Sequence, residues 1–483
     1  MTFAQEFFGI DNIFEPNEIA IRSSSSSLKY DELSNQILTS VFYLKQIGVK
    51  QNDFIGITGD NSYQFIIAIF ALWQIGAVPV LISIRLVNSE IDEQLEIANC
   101  KLFLISNNLS DSFYLGEIPK IFYPFEVKEN AGQTLATINL DKNAVIVFTS
   151  GSTGKPKGVE LTFNNLINSA QTGNQYFVHK QNDSWIASLP FYHIGGFSII
   201  MRSVLFGLTL ILPDNLDLKN LVHSLRSFDP SHASFVSTQL KRIIELGVKP
   251  NNSLRNVLLG GGFIDPKLVK SAINSGWNVS LSFGATETSS FVSILNPEQF
   301  RHKEGSSGKA LYPNNILIID DNKNILPSGI VGEIAIKSDS VAKGYINNIE
   351  ETKKKFSNGL YYTGDFGLLD NDEFLYVQAR RNDLIISGGE NVNPLEIENE
   401  LIKHPLILEA AVFGLMDREW GQIIAAAIVS DNNIIIPLEN IKLFLNNRLS
   451  SFKHPKRIFF VSELPKTELG KVRKEKLRNM FNY

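Results

Sequence analysis

Six short apolar runs, Asp53–Thr58, Ala77–Ile82, Leu102–Ile105, Ala144–Phe148, Thr209–Leu212 and Val257–Leu259, alternate with helix-length amphipathic segments. This alternation restricts the fold more than any other feature of the chain. A strand that returns to its sheet through a helix lies parallel to the strand before it, so the pattern predicts α/β layers on a largely parallel sheet. Ligands of such sheets bind beyond the carboxyl ends of the strands. Residues 149–158, Thr-Ser-Gly-Ser-Thr-Gly-Lys-Pro-Lys-Gly, stand at such an end, directly after Phe148.

That loop has the build of a phosphate grip. Gly151 and Gly154 let backbone N–H groups turn toward an anion without Cβ clashes. The hydroxyls of Thr149, Ser150, Ser152 and Thr153 can donate to phosphate oxygens, and Lys155 and Lys157 supply charge. It is not a Walker A loop, because Pro156 follows Gly154-Lys155 where Ser or Thr should hold the metal, and Thr149 replaces the leading glycine. A different nucleotide chemistry is implied. A solvated strand-to-strand turn would share this composition.

The most apolar window, Phe65–Ser83, approaches the length of a membrane span but contains Gln74, Gly76 and Pro79. It reads as a buried helix that turns into the core strand Ala77–Ile82. From about Leu311 the texture changes to short β-runs divided by turn signals, which predicts a small antiparallel or barrel-like subdomain. After Asp383 about a hundred residues remain, enough for one compact α+β unit. The expected organisation is therefore a large N-terminal body of layered α/β subdomains over residues 1–382, barrel-like from about 311, and a small C-terminal α+β domain over 383–483. The hinge is expected at or next to Asp383. Ser23–Ser27, the one low-complexity stretch, is expected as a surface loop.

Composition narrows the partners. Lys and Arg number 45 against 50 Asp and Glu, a net charge of -5, so no field draws in a polyanion and nucleic acid is not an expected partner. Cys100 is the only cysteine, which rules out an intrachain disulfide or a cysteine-built zinc site and suits a reducing compartment. The first residues carry neither a basic segment nor a sustained apolar one, so no signal peptide or membrane insertion is expected and the chain reads as cytoplasmic. The seven histidines show no paired metal-ligand spacing, so a metal is expected on oxygen ligands. Homo-oligomerisation stays open.

Further motifs follow the first loop. Phe283-Gly-Ala-Thr-Glu-Thr288 succeeds the run Val279–Ser282; an aromatic can stack on a purine, and Thr286 with Glu287 offers a hydroxyl and a hard oxygen ligand for Mg²⁺ on a triphosphate. The same Thr-Glu pair also suits a helix cap. Asp365, in Tyr361-Tyr-Thr-Gly-Asp365, can accept both hydroxyls of a ribose or close a turn on its own backbone. Arg380-Arg-Asn-Asp383 supplies a cation and an acid, and Lys471 stands beyond a glycine turn in a basic tail.

Taken in order, the loop at 149, Leu189–His193, Gly260-Gly261-Gly262, Phe283–Glu287, Tyr361–Asp365, Arg380–Asp383 and Pro465–Lys471 resemble the motif succession of the adenylate-forming enzymes. That superfamily comprises acyl-CoA synthetases, luciferases and peptide-synthetase adenylation domains. The resemblance runs from about residue 10 to residue 478. Within it, Leu384–Asn391 with Pro394, the three glycines at 260–262, Thr286–Ser290 and Gly305–Lys309 look most like the 2-succinylbenzoate–CoA ligases of menaquinone biosynthesis. Phe191-Tyr192 and Ala285 depart from the commoner wording at positions that touch the acyl pocket.

The resemblance implies a reaction in which a carboxylate attacks the α-phosphate of ATP, and coenzyme A then takes the acyl group from the adenylate. It implies that the loop at 149–157 grips the β- and γ-phosphates with Mg²⁺ on Glu287, and that Phe283 stacks on adenine beside Ser282, Gly284 and Thr286. Gly260–Gly262 would admit the purine, and Asp365 and Arg380 would fix the ribose. Lys471 would reach the α-phosphate from a mobile small domain. That domain would swing about Asp383 and carry Gly388 and Gly389 to a pantetheine tunnel. His193 is the implied catalytic histidine, and His193, Arg202 and Ser289 are the candidates for holding the second carboxylate and the ketone of the acid. Arg202 lies in an apolar run, so it either pairs internally or faces a ligand. Competing readings are a CoA ligase for benzoate-like or medium-chain acids, acyl transfer to a carrier protein, and an inactive relative. The last would require loss of Lys471, Glu287 or the first loop.

Overall fold

The computed structural model describes residues 3–9, 18–110, 113–125, 135–150, 155–261, 264, 266–379, 385–465, 472 and 474–481. All six apolar runs are strands, divided between two sheets rather than joined in one. The first sheet orders its seven strands as Gly344–Tyr345, Pro156–Thr162, Asn143–Ser150, Val78–Leu81, Phe54–Thr58, Leu102–Ser106 and Lys120–Tyr123. The last five of these run parallel. The second sheet has nine strands, with a parallel centre from Val279–Ala285 through Asn256–Leu259, His232–Phe235, Ser184–Ile186 and Thr209–Ile211 to Ile19–Arg22. The serine stretch turns between Ile19–Arg22 and the antiparallel edge strand Ser27–Lys29, as expected of a surface loop.

Two apolar helices, Tyr63–Ile75 and Ile194–Phe206, and the amphipathic helix Phe163–Phe177 share one core with both sheets. The first begins where the Ser62 side chain accepts the Phe65 N–H and ends at Gly76, whose φ of 81° a side chain would resist. Every residue from Phe65 to Trp73 is buried, so this window is a core helix running into a core strand, as read from the sequence. Each such Phe or Leu contributes roughly 1.5–3 kcal/mol by leaving water. Among the described residues no helix is long and apolar enough to cross a membrane.

The expected phosphate loop joins two strands of one hairpin. Asn143–Ser150 pairs antiparallel with Pro156–Thr162, and Thr149 faces Lys157. Past Leu311 lies a five-stranded antiparallel sheet of Asn315–Ile319, Gly332–Lys337, Phe356–Ser357, Leu360–Leu369 and Leu375–Ala379. A fourth sheet of Ile385–Ser387, Glu390–Val392, Ile407–Asp417, Gly421–Ser430 and Arg457–Phe460 packs with Pro394–Leu401, Leu438–Leu445 and Lys474–Phe481 into an α+β unit with its own apolar clusters.

Candidate active site

Two cavities meet at His193, the residue that precedes the helix Ile194–Phe206. The inner one, of about 230 Å³, is lined by His193–Gly196, Ser198 and Arg202 along that helix and by Gly260, Gly261, Ser282, Gly284, Ala285, Thr286, Ser290 and Phe291 from the facing strand ends. Gly389 closes it from the fourth sheet. The outer one holds Thr149 and Pro156 of the hairpin together with Tyr192, His193 and Glu390. An anion in the inner cavity faces the N-terminus of a 13-residue helix, where N–H groups are free and the dipole is favourable.

Arg202 decides the character of the inner cavity. The helix that carries it is buried from Gly196 to Phe206, so the guanidinium is 1% exposed and cannot reach water. Burial lowers its pKa to about 9, which leaves it charged at neutral pH. Its carbon sits 5.0 Å from the Trp185 ring centre and 4.9 Å from that of Phe291. Nη2 reaches Ser290 Oγ at 3.4 Å, while Nε and Nη1 have no hydrogen-bond partner and no carboxylate pairs with them among the described residues. Of the two readings of this arginine, internal pairing is therefore not what the structure shows. A buried guanidinium without an anion is costly, and a ligand carboxylate would relieve it.

Trp185 holds the back wall by donating to Ser234 Oγ at 3.1 Å and stacking on His232. Behind it tertiary folding gathers His179, Asp183 and His232, a trio of nitrogen and oxygen donors that no spacing in the sequence announces. Its inward atoms are occupied: His232 Nε2 lies 3.1 Å from Asp183 and 3.2 Å from His179 Nδ1, Asn256 donates to His232 Nδ1, and Arg255 pairs with Asp183. Burial pushes the His179 imidazole down to about 2, so it stays neutral.

Glu390 links the small unit to His193. Its carboxylate is buried, 3.1 Å from His193 Nε2 and 2.9 Å from Arg85 Nη1. Burial alone would raise this carboxyl, but the His193 hydrogen bond and the charges of His193 and Arg85 outweigh it and hold it below the usual range. The tight turn before it needs glycine, with φ of 59° at Gly388 and 86° at Gly389.

Several expected contacts fall elsewhere. Ser289 is left-handed (φ 55°) and donates its hydroxyl to the Ser340 carbonyl, so the neighbouring Ser290 presents to the cavity instead. Phe283 points away from the cavity because strand residues alternate: Ser282 and Gly284 line it, and Phe283 packs with Val292, Ile316 and Ile334. Lys157 is buried and its ammonium is taken by Glu351 at 2.6 Å, which leaves Lys155 as the loop's exposed cation. Glu287 is oriented by the Tyr345 hydroxyl at 2.8 Å, and Asp365 donates its N–H to Thr363 Oγ1 at 3.0 Å; neither lines the two cavities, nor does Gly388. Gly151, Ser152, Thr153, Gly154, Gly262, Arg380, Asp383 and Lys471 lie outside the described residues, as does the side chain of Ser150. The Glu287 carboxylate and the hydroxyl of the adjoining Thr286 are hard oxygen donors, which fits Mg²⁺.

Gly284 admits no side chain. A Cβ there would collide with the Ser290 carbonyl oxygen and come within 2.5 Å of Phe291 Cα, both backbone atoms of the paired strand. Gly284→Ala is expected to destabilise the fold by about 1–3 kcal/mol, read as a shift of the urea midpoint, because the strands must part to accept it.

Known proteins resemble this chain over nearly its whole length. The chain is 34% identical over 464 residues to a 2-succinylbenzoate–CoA ligase of Listeria monocytogenes, with 96% of each chain covered. It is 34% identical over 466 residues to the ligase of that name from Bacillus licheniformis, covering 96% of this chain and 97% of the relative. Among solved structures it matches the o-succinylbenzoate CoA synthetase of Bacillus subtilis bound to a product analogue, as a double mutant, with a TM-score of 0.89, 32% identity and 96% of each chain covered. The same synthetase in complex with its acyl-adenylate intermediate gives 0.75, at 31% identity with 99% of this chain and 96% of that one covered. The family model of AMP-binding enzymes matches residues 14–346 and that of their C-terminal domain matches residues 396–471, and the chain belongs to this family.

Proposed function

We propose that this protein joins 2-succinylbenzoate to coenzyme A through an acyl-adenylate, the thioester-forming step of menaquinone biosynthesis, in the cytoplasm. The observation that carries the choice of acid is Arg202, a buried cation without an anion at the far end of the cavity that starts at His193. One carboxylate of the substrate reacts near His193 and the other completes the charge of Arg202. The ligases of that name among the relatives support the reading.

In the first half-reaction a carboxylate oxygen attacks the α-phosphorus of ATP, the bond to the bridging oxygen breaks, and pyrophosphate leaves. The protein's part is alignment and charge neutralisation. The hairpin loop with Lys155 holds the outer phosphates, Gly260 and Gly261 let the purine come close to backbone, and Asp365 and Arg380 hold the ribose. Glu287, with Thr286, would hold Mg²⁺, which supplies charge neutralisation to the triphosphate. Lys471 enters from the small domain. In the second half-reaction the small domain turns about a hinge at Asp383, the thiolate sulfur of CoA attacks the acyl carbon, and AMP departs with the electron pair of the broken C–O bond. The described arrangement, with Gly389 on the acyl cavity and Glu390 on His193, suits this second step.

The test is AMP release with ATP, Mg²⁺ and CoA across 2-succinylbenzoate, benzoate, octanoate and acetate. The expected preference for 2-succinylbenzoate is about a hundredfold or more, equivalent to roughly 2.7 kcal/mol in the transition state. An equal or better rate with benzoate or octanoate would overturn the choice of acid.

A further inference from the structure

We propose that Glu90 and Lys453 are positioning residues for the thioester half-reaction: their buried contact holds the small domain where Gly389 and Glu390 meet the acyl cavity. The inference rests on the two-step reading above. It gives a role to two residues that line the outer cavity with Thr149 and Pro156 and that the reading above leaves without one.

Glu90 stands in the first turn of the helix Asn88–Ile97 in the large body, and Lys453 ends the turn Ser451–Lys453 of the small unit. The chain between them is long, yet both are buried, at 7% and 8% exposure, and Lys453 Nζ lies 2.6 Å from Glu90 Oε1. The Ser450 hydroxyl donates to Glu90 Oε2, and the Ser89 hydroxyl donates to the Asn447 carbonyl at 3.3 Å. A more exposed contact between the same two bodies differs from it. There, Lys241 donates to the Arg418 carbonyl and Arg242 pairs with Glu419 on open surface, where water and salt weaken the attraction.

The two partners are not equivalent. Lys453 has a second carboxylate from its own unit, Glu396 Oε1 at 2.7 Å, so it remains neutralised if the small domain turns away. Glu90 receives only the Val87 N–H from its own body, at 3.2 Å; its charged partner and its hydroxyl come from across the boundary. Glu90 therefore gains its charge partner only in the arrangement described. A desolvated, hydrogen-bonded carboxylate–ammonium contact distinguishes one orientation from another through the cost of separating it, which is how such pairs confer specificity more than stability.

The test separates the half-reactions. In Glu90→Gln, Lys453 keeps Glu396 and no buried charge is stranded, so the fold is expected to hold. CoA thioester formation from supplied acyl-adenylate is expected to slow tenfold or more, while pyrophosphate release with ATP and 2-succinylbenzoate stays within twofold of the unaltered protein. Lys453→Met is expected to act in the same direction. The double variant is expected to be no slower than the worse single one, a coupling that independent structural damage would not produce. Equal losses in both half-reactions, additive losses in the double variant, or an unchanged thioester rate in Glu90→Gln would overturn the inference. An unaltered protein that forms no acyl-adenylate from any acid would overturn the reaction reading, and this inference with it.

Discussion

Replacing Arg202 by methionine is expected to lower kcat/KM for 2-succinylbenzoate by about 10²- to 10³-fold, while the lower rate with benzoate changes by no more than about threefold. A fully desolvated charge pair that loses one member forfeits roughly 2–5 kcal/mol, and each 1.36 kcal/mol is a factor of ten. Benzoate lacks the whole succinyl arm, with its ketone and second carboxylate, so the gap between the two responses isolates what Arg202 contributes to binding the larger acid. Stability gives a second, oppositely directed readout. Without ligand the guanidinium is buried between Trp185 and Phe291 with two nitrogens unpartnered. Methionine fills a similar volume without a charge to desolvate, so the variant is expected to melt at the same temperature or higher. A lower melting temperature together with equal losses on both acids would mean that Arg202 only supports the core.

Lys471→Ala is expected to slow acyl-adenylate formation by about 10²- to 10³-fold, the usual loss when one preorganised charged or hydrogen-bonding group is removed from a developing negative charge. Thioester formation from supplied acyl-adenylate should remain within about twofold. Val472, the next residue in the chain, packs with Leu464, Phe413 and Leu477 in the small unit. Stopped-flow single turnovers of each half-reaction decide the matter. Equal loss in both would show that Lys471 serves both steps or neither.

What the sequence revealed depends on the range of the physics involved. The helix ending at Ile75 and the strand after Gly76 were legible because hydrophobic length, a breaking glycine and a β-run are local signals. The six apolar runs were legible as strands, but their division between two sheets was not, since pairing partners leave no mark on periodicity. Ser290 rather than Ser289 faces the cavity because two consecutive positive-φ residues, Ser289 and Ser290, turn the backbone there, and a serine does not advertise that conformation. Phe283 matched its motif and yet lies on the other face of its strand, among Val292 and Ile334, where period-two counting from Ser282 and Gly284 would have put it. The partners of Lys157 and of Glu90 sit far away in the chain, and a lysine's distant carboxylate cannot be inferred from its neighbours.

The helix Ile194–Phe206 also works as a ruler. His193 at its head and Arg202 are nine positions apart, a rise of about 13 Å along the axis, and the arginine side chain leans back toward the head as helical side chains do. On the proposed reading, what remains between them is a fixed gap that measures the distance between the reacting carboxyl of the acid and its far charge. Because this helix is packed along its whole length against both sheets, the gap cannot be stretched by sliding it. A family member built for a shorter diacid would instead move the cation one turn toward the head, to the position of Ser198, which already faces the cavity.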